Sequence, residues 1–282
     1  MKTTPLNNQE AAPVRRSGTY FGLGTYLGLA GALLAMIVLF SFLSSHFWSY
    51  GTFSTLANQI PDLMVLAVGM TFVLIIGGID LSVGSVLALA ASTVSVAILG
   101  WGWGVLPSAL LGMAVAALAG SITGGVTVAW RIPSFIVSLG VLEMARGLAY
   151  QFTDSRTAYI GDAYAWFSNP VAFGVSPAFI IALLVIVLAQ LVLTRTVFGR
   201  YLIGIGTNEE AVRLAGIDPR PYKVLVFALM GLLAGLAALF QISRLEAADP
   251  NAGSGLELQV IAAVVIGCLL YTSPSPRDVE ES

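Results

Sequence analysis

The sequence predicts an all-α polytopic membrane protein, a bundle of about eight transmembrane helices within 282 residues. Three observations predict it. Hydrophobic types make up 57% of the chain and charged types only 10%, where a soluble domain carries roughly a quarter charged residues. So few charges would not cover the surface of a soluble fold. Apolar runs of about 18 residues or more recur between short polar stretches, which is the pattern of membrane-crossing helices. Lysine and arginine then fall almost entirely on alternate connections between those runs.

Residues 1–19 form a polar tail in which Arg15 and Arg16 precede the first apolar run, Tyr20–Leu43. That run is too long for the core of a cleaved signal peptide, and no small-x-small cleavage site follows it, so it reads as a retained first helix. Further runs cover 55–76, 83–99, Val105–Trp130, Ser134–Phe152, 177–193, 223–242 and 260 onward. A longer polar stretch, 153–176, separates the fifth and sixth runs, and a charged one, 194–222, separates the sixth and seventh. With the N-terminus inside the cell, alternation puts nine basic residues on the inner side, five of them between Arg195 and Lys223. Only Arg156 and Arg244 then lie outside. One helix more or fewer before the charged stretch would reverse that bias, so the charges also support the helix count. Glycines such as Gly231 and Gly235 lie inside spans, where small residues let helix backbones approach closely in lipid.

The residue inventory excludes several function classes. Cys268 is the single cysteine and His46 the single histidine, so an intrachain disulfide, a cysteine metal cluster and histidine-based hydrolytic or relay chemistry are not expected. No catalytic residue, metal ligand, cofactor or nucleic-acid partner is predicted. The Gly-x4-Gly-Lys-Ser/Thr phosphate loop is absent, so any ATP must be bound by another polypeptide.

Three polar features interrupt the apolar runs. Gly77, Gly78, Asp80, Ser82, Gly84 and Ser85 lie together at the junction of the second and third runs. A tight hairpin, with Asp80 or Ser82 capping the next helix and glycines making the turn, is one reading. A broken or re-entrant element that lines a transport route or gate is the other. In the charged stretch, Asn208 to Ala215 reads as a short amphipathic helix with Asn208 as N-cap, Glu209 and Glu210 at its positive start, and Gly216 as its stop. Glu209 and Arg213 stand in the favoured i,i+4 order. Glu143 and Arg146 share a face of the fifth span and are placed to pair, either as an internal structural ion pair or as polar lining of a path. Asp62, after Pro61, reads as a cap of the second span. Tyr159, Tyr164, Trp166 and Phe167, in the polar stretch after the fifth span, read as an interfacial aromatic belt.

The segment from Gly77 to Ala90 resembles the hallmark of the ribose/xylose/arabinose-type permeases of bacterial ABC importers. Three more stretches are similar to that family, in order: Arg131-Ile132-Pro133-Ser134-Phe135-Ile136 with Arg146-Gly147, then Thr196 to Ile217, then Ile261 to Gly267. The resemblance implies about ten transmembrane helices in an intact chain. It implies a coupling helix that sits in a groove of a cytoplasmic ATPase, carried by Asn208, Glu209, Glu210, Ala211, Arg213 and Gly216. It also implies a second permease chain, with a homodimer expected, and a periplasmic or lipid-anchored sugar-binding protein that docks on the outer loops. The expected role is membrane permease of an inner-membrane monosaccharide importer, ribose-like pentose first. In the family the Val-Val-Ile-Gly run continues into a glycine-rich element, whereas here Gly267 is followed by Cys268-Leu269-Leu270-Tyr271-Thr272-Ser273-Pro274. Residues 268–282 are therefore expected to be a non-native tail on a truncated chain. The rival from another class is a stand-alone ion-coupled secondary transporter using Asp80 or Glu143. A membrane-embedded enzyme lacks any supporting motif.

Overall fold

The computed structural model describes the backbone of residues 20–171 and 174–271, and the side chains of 31–171 and 174–267. The tail 1–19 lies outside the described residues, as does the tail from Cys268 apart from the helical backbone that reaches Tyr271. Among the described residues are ten α-helices and one two-stranded ribbon. Each of the eight predicted apolar runs is helical over most of its described residues. The first, α1 (Tyr20–Leu43), belongs to one compact unit, and Trp48–Leu269 form a second.

The second unit opens with α2 (Tyr50–Gln59) and α3 (Pro61–Ile75), which were expected as one continuous span and are instead two helices bent by 43°. Pro61 is the cause: it has no N–H to give and its ring clashes with the preceding turn, so the chain restarts there with proline at the first helical position. Asp62 is not the N-cap it was expected to be, because Ile60 holds that position without a side-chain bond. Buried Asp62 instead meets the Arg244 guanidinium at 3.1 Å, and Arg244 also donates to the Gln59 carbonyl. This ties the start of α3 to the last turn of α9 (Pro219–Leu245).

After α3 comes α4 (Val83–Ser95), continued by one π-helical turn, Val96–Gly100. Then follow α5 (Val105–Trp130), α6 (Ser134–Phe152), α7 (Pro177–Arg195), α8 (Val197–Leu214) and, after α9, α10 (Leu256–Tyr271). Polar caps set the starts: Ser176 accepts from the Phe179 N–H before α7, Thr196 from Gly199 before α8, and Asp218 from Arg220 before α9. Four helices, Val83–Gly100 with α5, α7 and α9, are each long and apolar enough to cross a membrane. The bent α2–α3 pair makes a fifth, and Gly31–Leu43 and Leu256–Gly267 are shorter apolar stretches. With Glu143 and Arg146 in it, α6 falls short of that apolarity.

The core is built on α5 and α9, the most extensive helix pair, with α3 and α4 packed around α9. Their crossing is close because glycines meet backbone: a Cβ on Gly231 would lie 2.1 Å from the Ala116 carbonyl oxygen, and one on Gly120 would lie 2.1 Å from that of Phe227. The strands β1 (Ala158–Tyr159) and β2 (Ala247–Ala248) pair antiparallel, with Tyr159 opposite Ala247. The Tyr159 hydroxyl donates to Glu246, and that bond raises its pKa. The expected aromatic belt divides. Tyr159 and Trp166 are exposed, while Tyr164 and Phe167 are buried in the core. Tyr164 donates to the Val105 carbonyl at 2.8 Å, and burial pushes its hydroxyl up to about 12.

Candidate functional site

The six residues from Gly77 to Ser85 lie in and just after a true break between helices. Gly77 adopts φ 73°, a left-handed conformation that glycine takes at little cost. The Gly78 N–H reaches back to the Val73 carbonyl and the Gly77 N–H to that of Leu74, which closes α3 with a Schellman motif. Residues 79–82 then lie outside regular secondary structure, and their donors would be orphaned in an apolar bundle. The α6 helix satisfies two of them: Ser134 Oγ accepts from the Ile79 N–H at 2.9 Å, and Ser138 Oγ from the Leu81 N–H at 3.1 Å. Asp80 is buried, and its Oδ1 accepts both the N–H and the hydroxyl of Ser82, at 2.8 and 2.6 Å. Asp80 thus makes the turn, while Ser82 is the N-cap residue of α4 without a side-chain cap bond. The glycine turn of the first reading is present, and so is the break between helices on which the second was built.

Ser85 is buried, with no partner for its hydroxyl among the described residues. Gly84 meets a second irregular segment, residues 249–255. A Cβ on Gly84 would lie 2.1 Å from the Gly253 carbonyl oxygen, and Gly253 itself has φ 71°. This segment is held on its other side by α6. Arg146 donates to the carbonyls of Pro250 and Ala252, and the Tyr150 hydroxyl donates to Asn251. The expected Glu143–Arg146 pair is therefore not formed. Arg146 is half-buried and its guanidinium is spent on main-chain carbonyls, while Glu143 is on the exposed face of α6.

The charged stretch folds as two helical pieces within α8, joined at Asn208, whose φ −156° and ψ 95° are not helical. Asn208 is the N-cap of the second piece: its Oδ1 accepts from the Ala211 N–H at 3.0 Å. At the other end Gly216 has φ 86°, its N–H bonds to the Arg213 carbonyl, and the Ile217 N–H bonds to that of Val212. The helix is thus closed by a second Schellman motif. The expected Glu209–Arg213 pair is replaced by two others. Arg213 meets Glu210 at 2.7 Å, and Glu209 meets Lys223 of α9 at 2.6 Å. Glu209 turns to α9 because that helix passes beside it, leaving Arg213 to the nearer carboxylate one position on.

The break and the charged helix are in direct contact. A Cβ on Gly206 would lie 1.8 Å from the Ile75 carbonyl oxygen, at the last turn of α3. A cavity of about 730 Å³ opens beside this contact, lined by Gly77 and Gly78, by the α5–α6 turn, and by Glu209, Arg213 and Gly216. Sequence reasoning missed Ser134 and Ser138, although two serines one helical turn apart in an apolar span were the available signal. It assigned no role to Gly206, which lies within the family-like stretch Thr196 to Ile217.

Replacing Asp80 tests how far the turn depends on it. Asp80→Asn keeps an acceptor for Ser82 and is expected to retain most stability and transport. Asp80→Leu leaves the buried Ser82 N–H and hydroxyl unpaired, at a cost of about 1–3 kcal/mol. The two variants are compared by thermal unfolding midpoint in detergent. Equal midpoints would remove Asp80 from the turn's support.

Among the described residues, no cluster of His, Cys, Asp or Glu is arranged to hold a metal ion. A sequence profile of the family described as "Branched-chain amino acid transport system / permease component" matches residues 52–276. The chain is 36% identical over 241 residues to the ribose import permease protein RbsC of Escherichia coli (strain K12), covering 84% of this chain and 75% of that one. It is 34% identical over 272 residues to the ribose import permease protein RbsC of Bacillus subtilis, covering 95% and 82%. To the L-arabinose ABC transporter permease protein AraH of Azospirillum brasilense it is 33% identical over 292 residues, covering 96% and 80%. No solved structure is significantly similar. With a profile match across most of its length and three relatives above 30% identity, this all-α membrane chain belongs to the permease-component family of ABC-type importers.

Proposed function

We propose that the chain is the membrane-spanning subunit of an importer for a monosaccharide, a ribose-like pentose first, powered by ATP hydrolysis on a separate cytoplasmic subunit. The substrate class rests on the relatives, whose names include ribose and arabinose transport. The N-terminus and residues 194–222 would lie on the cytoplasmic side, as the lysine and arginine bias requires. A periplasmic or lipid-anchored binding protein would deliver the sugar, and a second copy of the chain would complete the path.

The observation that carries this reading is the contact of Gly206 with the Ile75 carbonyl. The ATPase would seat on the helix formed by Glu209, Glu210, Ala211 and Arg213, between its caps Asn208 and Gly216. That helix is short, exposed and fixed at both ends. A displacement imposed on it would reach α3, and through the Gly77–Gly78 turn the irregular segment with Asp80 and Ser82. That segment in turn supports Gly84 and Ser85 at the start of α4, against residues 249–255. Such a chain of rigid elements with glycine hinges suits alternating access, in which helices switch between two packings. Neither Asp80 nor Glu143 need bind an ion in this scheme.

The test is uptake into proteoliposomes that hold the permease with its ATPase, with the binding protein and a labelled pentose outside. Uptake that requires ATP and both partners is expected. Uptake driven by a proton or sodium gradient without the ATPase would overturn the proposal.

A further inference from the structure

The cavity beside α8 has features that coupling does not use. Four cations line it, Arg131, Arg213, Arg220 and Lys223, against two carboxylates, Glu209 and Asp218. Two of the cations are already paired: Lys223 with Glu209, and Arg213 with Glu210. Asp218 accepts from the main-chain N–H of Arg220, as the cap of α9. The guanidinium groups of Arg131 and Arg220 form no hydrogen bond or ion pair with any described residue. Two such forks on one concavity form a receptor for a planar or tetrahedral oxyanion, which guanidinium binds bidentately. Arg131 also holds φ 55°, a left-handed conformation unfavourable for any side chain but met here by an arginine that ends α5.

The rest of the lining says which oxyanion fits. The inner wall is apolar, with Ile76, Val128 and Phe227. Within it, the hydroxyl of Thr127 is buried without a hydrogen-bond partner. A free anion would leave that apolar wall unused. Aromatic residues adjoin the lining residues in sequence. Trp130, next to Arg131, is 68% exposed, and Tyr201 and Tyr222 pack edge to face at 5.3 Å on the neighbouring helices. Exposed tryptophan and clustered tyrosine at the ends of spans mark the headgroup plane of a bilayer. Basic pockets between membrane helices at that plane suit acidic lipid headgroups. The volume, about 730 Å³, lies in the roughly 300–1,000 Å³ range of small-ligand sites.

We propose that this cavity binds the phosphodiester headgroup of an anionic phospholipid, with Arg131 and Arg220 on the phosphate, Thr127 on a glycerol or ester oxygen, and the first acyl carbons on the apolar wall. The inference needs only that the chain spans a bilayer, and it is independent of the sugar carried; Glu209 and Arg213, on which the ATPase would seat, also line the cavity. The chemistry recognised is a phosphate ester, and the source is the lipid leaflet at this end of the helices.

The experiment uses the full chain purified in a neutral detergent, with lipid adducts counted by native mass spectrometry and the thermal midpoint followed in parallel. Phosphatidylglycerol is expected to bind more tightly than phosphatidylcholine and to raise the midpoint. Arg131→Gln and Arg220→Gln are each expected to weaken phosphatidylglycerol binding about fivefold, without changing phosphatidylcholine binding. Arg200→Gln, at the same end of the molecule but off the cavity, is expected to leave both unchanged. Arg131→Gly guards against an effect of folding, because it relieves the left-handed backbone while removing the charge. It should weaken binding as much as Arg131→Gln. Wild-type binding by Arg131→Gly, or an equal loss in Arg200→Gln, would overturn the proposal in favour of diffuse surface charge. Stabilisation by inorganic phosphate equal to that by phosphatidylglycerol would overturn the lipid assignment in favour of a free anion.

Discussion

Gly206→Ala is expected to leave the protein folded in the membrane and to lower ATP-driven uptake on the order of tenfold or more. The cause is a contact between two backbones. A Cβ at position 206 would stand 1.8 Å from the Ile75 carbonyl oxygen, and neither atom is the end of a flexible side chain. The first piece of α8 must therefore retreat from α3 by more than an ångström. Such a shift does not remove the core, which rests on α5, α9, α3 and α4. It does remove the stop through which a displacement of the Asn208–Gly216 helix would reach the Gly77–Gly78 turn. The matched control is Gly204→Ala, whose Cβ would meet only a methyl of Val212 at 3.2 Å. That methyl is on a side chain that need shift only a few tenths of an ångström, so uptake should stay near the parent's. Uptake by proteoliposomes is read alongside ATP hydrolysis stimulated by the binding protein. Coupling through this contact predicts that hydrolysis persists while uptake falls. Uptake equal to the parent's in Gly206→Ala would sever α8 from the transport step and leave its contact with α3 structural.

Much of the architecture was legible because membrane helices announce themselves by length and apolarity, which are local properties. The same holds for caps. Asn208 and Gly216 were readable because an N-cap oxygen and a left-handed stop each act within one helical turn. The break at Gly77 was visible as a cluster of glycines and polar residues between apolar runs, whereas its support was not. Ser134 and Ser138 lie more than fifty residues away and meet Ile79 and Leu81 only in the fold.

Pairings across the molecule were the least legible. Glu209 and Arg213 satisfy a helical spacing rule, yet α9 brings Lys223 to Glu209 and the rule loses to the nearer tertiary partner. Glu143 and Arg146 satisfy the same rule and lose for a different reason. The irregular segment 249–255 carries carbonyls with no ladder to join, and Arg146 answers two of them. An unpaired carbonyl packed against other helices is costly, so it outcompetes a carboxylate that has an exposed face of its own. Asp62 took Arg244 across more than 180 residues rather than capping its own helix. The Pro61 bend had a plain local signal that a search for unbroken apolar runs passes over.

The second large effect is expected from Gly231→Val, for which no folded protein should accumulate. Without a hydrophobic drive between helices inside a bilayer, association of spans rests on van der Waals contact and on how closely backbones approach. The α5–α9 pair approaches through glycine at several levels. Gly231 meets the Ala116 carbonyl and Gly120 that of Phe227, while Gly235 and Gly124 lie within 3 Å of the Cα atoms of Met113 and Val224 by the same construction. A valine at 231 would place two branched methyls where main chain already stands. The roughly 1–3 kcal/mol of ordinary overpacking is then a lower bound, because the obstacle cannot change rotamer. Separating the helices would also loosen α3 and α4, which pack on the same α9. Gly231→Ala should fall between the parent and the valine variant. Gly125→Ala lies on α5 one position from Gly124 but faces open space, and it should match the parent. Membrane yield and thermal midpoint in detergent decide the matter across the series. A Gly231→Val protein with the parent's yield and midpoint would mean that α5 and α9 do not cross at backbone contact, and the core would have to be rebuilt around another helix pair.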